Sequence, residues 1–336
     1  MRNVLRTVIV IGLAVGLVFL FLRNADLERV WGSVTSARTD LLIVSLLLNM
    51  STFLIRAERW QYLLAPLGKA RFSVVFRTTV IGFAASAVLP ARAGEVIRPY
   101  MLAKSEGLNA AAAFATILVE RILDLVGVLI LLAAFLIWFD PGLEARDSAV
   151  FSAIRFGGLL MAPIALGALG VMFFMAGHPD RLHAWLLKAE AVLPARIAAL
   201  LASLAKTFAE GFSVVRSPQR LIAALAWSIV IWVVIATGIW TLSLAFHIDM
   251  PFTGAWLMLA PLVVGVAVPT PGGVGGFHEA YRIGATAFFG ADNDAAVGAA
   301  IVLHAISVVP VTVVGLLFIL QDGLKLGELK IDGKVS

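Results

Sequence analysis

Pro269-Thr270-Pro271-Gly272-Gly273-Val274-Gly275-Gly276-Phe277-His278-Glu279 lies between two apolar runs, 256–268 and 295–320. Two prolines before four glycines cannot continue a helix cheaply. The flanking hydropathy nevertheless places the stretch at membrane depth. Irregular backbone is tolerated there only where protein buries it or water reaches it. Glu279 closes the stretch with a carboxylate. A broken helix ending in a charge reads as a site within a membrane protein.

The composition agrees. The chain of 336 residues is 61% hydrophobic and 14% charged, with a mean hydropathy of +0.98. Soluble domains are about 45–50% apolar and about 25% charged. The chain has no cysteine, which excludes disulfides, thiolate nucleophiles and cysteine-bound metals. The net charge of +5 reads as basic cytoplasmic loops, not as nucleic-acid binding. A spanning helix needs about 20 mainly apolar residues. Six stretches qualify: 4–22, 41 to about 58, 110–139, 156–176, 221–246 and 295–320. No small-residue cleavage pattern follows the first, so it reads as a helix and not as a signal peptide. Residues 23–40 read as a polar loop, 178–220 as a cytoplasmic amphipathic helical region, and 321–336 as a flexible tail.

Loop charge orients the spans. Residues 56–77 carry Arg56, Arg59, Lys69, Arg71 and Arg77 against Glu58, and 178–220 is also basic. By contrast, 139–150 and 290–294 are acidic. Both termini therefore fall inside. Residues 72–109, interrupted at Pro90-Ala91-Arg92-Ala93-Gly94-Glu95, must enter and leave from the cytoplasm, and 254–294 from outside. The expected fold is an all-α polytopic membrane domain spanning 1–336. It has about six full transmembrane helices plus two re-entrant helical hairpins. An arrangement in which each hairpin limb crosses is the alternative.

An ungapped shift of 184 residues places Glu95 on Glu279, Arg98 on Arg282, Asn109 on Asn293 and Glu120 on His304. Glu-x-x-Arg thus recurs after each broken segment. The repeat halves run approximately 41–138 and 225–320, and the charge-derived orientation makes them inverted. Paired interrupted segments in an inverted repeat point to a midplane transport site.

Charges inside spans are costly and face a cavity or one another. Glu120 and Asp124 share a helix face, and Arg121 can pair with Asp124. Two acids against one base leave a negative charge, for which His304, Arg92, Arg98 and Arg282 are candidate partners. One reading is a buried ion cluster that fixes packing; the other is a coupled substrate site. Glu95 and Glu279 either cap the following helices or line a polar cavity with Arg98 and Arg282. Gly272 and Gly273 could turn backbone N–H groups to a phosphate. Arg56, Arg59 and Trp60 read first as an interfacial belt with snorkelling arginines, second as a headgroup contact. The histidines have no metal-ligand spacing and no catalytic motif appears. No metal or cofactor is expected.

Four motifs in order resemble the lysylphosphatidylglycerol synthase transmembrane-region family: Arg56-x-x-Arg59-Trp60, Leu89-Pro90-x-Arg92-x-Gly94-Glu95-x-x-Arg98, Glu120-Arg121-x-x-Asp124, and Pro269 to Gly275 with Glu279. The resemblance covers about 41–320. It implies a flippase-like protein of the bacterial inner membrane that moves lipids. The chain ends at Ser336 without the aminoacyltransferase domain of the enzymes that name the family, so it is not expected to act as an enzyme. The expected function is translocation of an anionic or polyprenyl-linked lipid headgroup by alternating access. An intramembrane transferase using Glu120 or Asp124 as base, or a non-transporting partner of an envelope-biosynthesis complex, are the alternatives. Membrane lipids are the expected partners, with a homodimer or envelope-biosynthesis proteins as candidates.

Overall fold

The structure, a computed structural model, describes residues 2–89, 92–138, 148–178, 207–268 and 270–322. The described secondary structure is helical. In order the helices are α1 (Arg2–Leu22), α2 (Leu27–Ser36), α3 (Thr39–Leu64), α4 (Phe72–Val88), α5 (Gly94–Glu106), α6 (Ala110–Trp138), α7 (Ser148–Gly177), α8 (Pro218–Ala245), α9 (Gly254–Ala267), α10 (Gly276–Phe289) and α11 (Asn293–Gln321). A 3-10 segment, Phe212–Arg216, precedes α8, and a single 3-10 turn, Pro271–Gly273, joins α9 to α10. The chain is an all-α polytopic membrane protein. Helices α3, α7, α8 and α11 are long and apolar enough to cross a bilayer. With 29 residues, α6 has the length as well. By contrast α4, α5, α9 and α10 have 17, 13, 14 and 14 residues. At about 1.5 Å per residue each falls short of a hydrocarbon core about 30 Å thick.

Residues 23–40, read as a loop, contain α2. Asp26 caps it, its carboxylate accepting from the N–H groups of Glu28 and Arg29. An aspartate one position before the helix is a legible start signal, overlooked because the segment is short and polar. Of the expected amphipathic region, 179–206 lies outside the described residues. Its end, around Phe212, Val214 and Val215, is buried against α6 and α7. The tail beyond Asp322 also lies outside the described residues.

The order long, short, short, long occurs twice, as α3–α6 and as α8–α11. Contacts follow the same pattern. Helix α4 packs on α5 and α5 on α6; α9 packs on α10 and α10 on α11. Across the halves, α3 lies on α8, α4 on α11 and α9 on α6.

Each hairpin closes on a pair of glycines. A Cβ at Gly94 would lie 1.8 Å from the carbonyl oxygen of Gly82, and one at Gly276 would lie 2.4 Å from that of Gly265. Each hairpin also ends alike. Gly107 and Gly290 terminate α5 and α10 in the left-handed region, and Asn109 and Asp292 cap the following helices.

Among the described residues the two larger apolar cores sit at opposite ends of the helices. One gathers Leu131, Leu132 and Phe135 of α6 with the C-terminal half of α8 and with α9 and α10. The other gathers Ala113, Ile117 and Leu123 of α6 with α3, α5 and the Phe212 segment. Helix α6 passes from one core to the other between Leu123 and Val128. Asp124, at this seam, has 14 residues of α6 on either side (124 − 110 and 138 − 124). The polar chemistry is therefore concentrated at mid-helix, between the cores.

Candidate functional site: a buried arginine cluster between two hairpin tips

Three helices supply the charges. Helix α3 brings Arg56, Arg59 and Trp60, α5 brings Arg98, and α6 brings Glu120, Arg121 and Asp124. Arg98 donates to both oxygens of Glu120, at 3.1 and 3.2 Å. Arg121 donates to Glu120 at 2.6 Å and lies 3.4 Å from Asp124. Arg59 donates to Asp124 through Nη1, which also reaches Ser228 Oγ of α8 at 2.7 Å. It lies 3.3 Å from Glu120 as well. The guanidinium of Arg98 lies 3.7 Å over the Trp60 ring, and Trp60 Nε1 donates to Thr116 Oγ1 at 3.0 Å. The indole thereby fixes the arginine that fixes the carboxylate.

The expectation of an interfacial belt is corrected here. Arg59 and Trp60 are fully buried and Arg56 is 8% exposed. They turn inward because two carboxylates and a guanidinium on α5 and α6 face that side of α3. The expected charge balance is corrected too. Four guanidiniums, of Arg56, Arg59, Arg98 and Arg121, meet two carboxylates, so the cluster carries an excess of about two positive charges. His304 does not pair with Glu120; its Nε2 donates to the carbonyl of Gly272 at 2.8 Å, and its ring lies 4.5 Å from that of His278.

The cluster faces a cavity of about 450 Å³. Arg56, Arg98 and Arg121 line it, with Gly82, Ser86 and Gly94 of the first hairpin, Val268, Thr270, Gly272 and Gly273 of the second, and Ser307 of α11. Arg92 and Glu95 line it as an ion pair, 3.7 Å apart. A second cavity of about 270 Å³ adjoins it, with Arg92, Arg121, Trp232, Val266, Ala267 and Ser307 common to both linings. Asp124 and Asn49 face this second space among mainly apolar neighbours such as Val128, Ile235 and Leu262. The hairpin tips meet here. Arg92 sits at a φ of 51° and donates to the carbonyl of Val266 at 2.8 Å. Pro90, Ala91 and Pro269 of the tips lie outside the described residues.

The glycine turn does not offer all its N–H groups to a ligand. Gly273 N–H donates to Thr270 and Gly275 N–H to His278 Nδ1. Gly272, Gly273 and Gly275 have φ of 60°, 73° and 86°, which side-chain-bearing residues rarely adopt. Glycine here serves the turn.

The two Glu-x-x-Arg motifs have different surroundings. Arg282 bonds Glu279 at 2.5 and 2.9 Å and Asn293 at 3.1 Å, and neither Glu279 nor Arg282 lines either cavity. Asn293 in turn donates to the Asn24 carbonyl, tying α10 and α11 to the α1–α2 turn. The hairpin contacts explain the difference. A Cβ at Gly82 would lie 2.7 Å from Cβ of Arg98, whereas one at Gly265 would lie 2.8 Å from Cβ of Ala280. The residue placed like Arg98 is thus Ala280, two before Arg282. Two residues turn a helix by about 200°, so Arg282 faces elsewhere. Glu279→Gln is accordingly expected to cost about 1 kcal/mol, as a partly exposed pair outside the cluster does. The thermal midpoint of the detergent-extracted protein should stay close to that of wild type. A large fall in midpoint would show that the Glu279–Arg282 pair matters more than its exposure suggests.

Sequence reasoning missed Asn49, Ser228, Trp232 and Ser307. Each is a single polar or aromatic residue within an apolar span. Asn49 donates to Ser307 across α3 and α11 at 3.3 Å.

These features define a polytopic helical membrane protein with a cation-rich centre enclosed by two short helical hairpins. The chain belongs to the lysylphosphatidylglycerol synthase TM region family, whose profile matches residues 4–315. It is also similar to a UPF0104 membrane protein of Methanocaldococcus jannaschii, 28% identical over 101 residues. That match covers 29% of this chain and 30% of the relative's length.

Proposed function

We propose that the protein moves an anionic lipid headgroup across the membrane through the space between two inverted halves, 41–138 and 225–320. The observation that carries this reading is the buried excess of guanidinium charge on a cavity bounded by both hairpin tips. An unpaired cation at membrane depth is costly, and an anionic headgroup offsets that cost. The short helices support re-entrant hairpins whose tips meet at mid-depth. The exchange of partners, α4 on α11 and α9 on α6, supports a two-fold relation between the halves, and the loop charges support its being inverted. Alternating access then consists of rocking one half against the other, with the Arg92–Val266 bond between the tips breaking and re-forming. The basic loops support a cytoplasmic-membrane location with both termini inside. Arg56, Arg98 and Arg121 contact the headgroup phosphate; Arg59, Trp60 and Glu120 hold them in place.

The test is translocation of fluorescent-headgroup phosphatidylglycerol and related anionic lipids in reconstituted vesicles. Transport should exceed that of protein-free vesicles. Arg121→Gln, which removes a charge-assisted contact, should slow it by about tenfold or more. No translocation of any anionic lipid by folded protein would overturn the proposal.

A further inference from the structure

We propose that the headgroup this site takes is a phosphate dianion, a monoester or pyrophosphate, in preference to the singly charged phosphodiester of common phospholipids. The inference rests on the anionic-lipid reading above and sharpens it. Its basis is the charge count together with one buried guanidinium that makes only a long ion pair and has no hydrogen-bond acceptor at Nη1.

Arg59, Arg98, Glu120 and Asp124 form two acid–base pairs that neutralise one another. Arg121 bridges both carboxylates and Arg56 approaches only Asp124, at 3.8 Å. Two positive charges are left over, on Arg56 and Arg121, and both residues line the larger cavity. Arg92 and Glu95, also on that wall, cancel. Arg56 is the more telling. It is more than nine-tenths buried, it lines the larger cavity, and its Nη1 is buried with no hydrogen-bond acceptor in the protein. Nε of Arg98 and of Arg121 likewise lack acceptors. Buried donors are ordinarily satisfied, and a buried charge without a counter-charge is strongly unfavourable. Three guanidiniums line one space, and two charges are uncompensated. A phosphate with two negative charges balances both. A phosphodiester has one charge and leaves one cation buried.

The adjoining cavity supplies the rest of an amphiphile's environment. Its walls are mainly apolar, and it adjoins the polar one, with Arg121, Trp232 and Ser307 in both linings. A phosphate joined directly to a hydrocarbon chain fits such a pair of spaces, with the phosphate against Arg56 and Arg121 and the chain's first carbons among Val128, Ile235 and Leu262.

The experiment compares equilibrium binding of dioctanoyl phosphatidic acid and dioctanoyl phosphatidylglycerol to the detergent-purified full chain, with inorganic phosphate as a third probe. The two lipids share their chains and differ in headgroup charge. At about pH 8.5 the monoester should bind about tenfold more tightly than the diester. At about pH 5, below a monoester's second pKa of about 6, it is singly charged and the preference should vanish. The diester, measured at both values, separates this effect from titration of His278 and His304, which would alter both lipids alike. Arg56→Gln should remove the preference at high pH without loss of the folded monodisperse protein, because it breaks no hydrogen bond of the cluster. Equal affinities at high pH would overturn the dianion inference and leave the anionic-lipid reading standing. Inorganic phosphate binding as tightly as phosphatidic acid would uphold the dianion and overturn the lipid as its carrier. Binding of none of the three by folded protein would overturn both.

Discussion

Glu120→Ala is expected to remove most of the folded protein. The carboxylate is fully buried and, among the described residues, is the one group in ion-pair reach of Arg59, Arg98 and Arg121 together. Those arginines come from α3, α5 and α6, so Glu120 joins three helices at the seam between the two apolar cores. Removing it leaves four guanidiniums against Asp124 alone. Breaking a buried pair by deleting one partner costs about 3–5 kcal/mol. Against a total stability of about 5–15 kcal/mol, that decides whether the chain accumulates. Size-exclusion profiles and thermal midpoints of detergent-extracted protein should show aggregation or a large fall in midpoint. Glu120→Gln, which keeps a hydrogen-bond acceptor but not the charge, should fall between. The opposite sign is expected on the other side of the balance. Arg56→Gln lowers the excess charge and should leave the midpoint of the ligand-free protein unchanged or higher. Replacing Arg98 and Glu120 together by leucine should recover part of what Glu120→Ala loses, since a buried pair can often be exchanged for apolar side chains. If Glu120→Ala matches wild type in midpoint, the cluster does not hold the helices together.

The helical class and the residues of the cluster were legible because both depend on local pattern. Long apolar runs mark α3, α7, α8 and α11, and a charge inside such a run cannot be idle. Partners were legible only in part: Arg98, one of four candidates, does pair with Glu120, and Arg121 does lie against Asp124, but Arg59 and Arg56 were not foreseen. Glu120, Arg121 and Asp124 looked like a surplus of acid because the compensating cations sit on other helices, 61 and 64 residues before Glu120 at Arg59 and Arg56, and 22 before it at Arg98. Trp60 illustrates the limit. A tryptophan beside arginines at the end of an apolar run has the pattern of an interfacial anchor, and only packing against α5 and α6 distinguishes it from a buried platform. Register was misjudged for a related reason. Glu95 and Glu279 match in type at a shift of 184, but the hairpins close at Gly82–Gly94 and Gly265–Gly276, shifts of 183 and 182. Identical charges drew the alignment, while the steric contacts set the register. Helix α10 turns Arg282 off the face that Arg98 occupies.

Those glycine contacts carry the second large effect: Gly94→Ala should open the first hairpin and disable the site with it. An added Cβ at Gly94 would lie 1.8 Å from the carbonyl oxygen of Gly82 and 2.5 Å from Ser86 Oγ. The serine can rotate away, but the carbonyl is part of α4 and cannot, so α5 must separate from α4 by more than an ångström. Arg98 lies one turn further along α5, with its Cβ close against Gly82. Displacing α5 therefore draws its guanidinium from Glu120 and from the Trp60 ring. Overpacking alone costs about 1–3 kcal/mol, and a weakened buried pair adds to it. Both the thermal midpoint and the proposed translocation should fall steeply. Gly276→Ala tests the parts separately. Its Cβ would lie 2.4 Å from the Gly265 oxygen, a lesser overlap, and α10 contributes no charge to the cluster. It should lower the midpoint less and leave anionic-lipid binding intact in the protein that folds. Gly107→Ala, at a helix end with nothing within 4 Å of the added carbon and a φ of 67°, should cost about 1 kcal/mol from backbone conformation alone. The expected order of midpoints is Gly107→Ala highest, Gly276→Ala next and Gly94→Ala lowest. A Gly94→Ala protein as stable as Gly107→Ala would mean that α4 and α5 do not approach this closely, and the support for Arg98 would then have to come from Glu120 of α6 and Trp60 of α3.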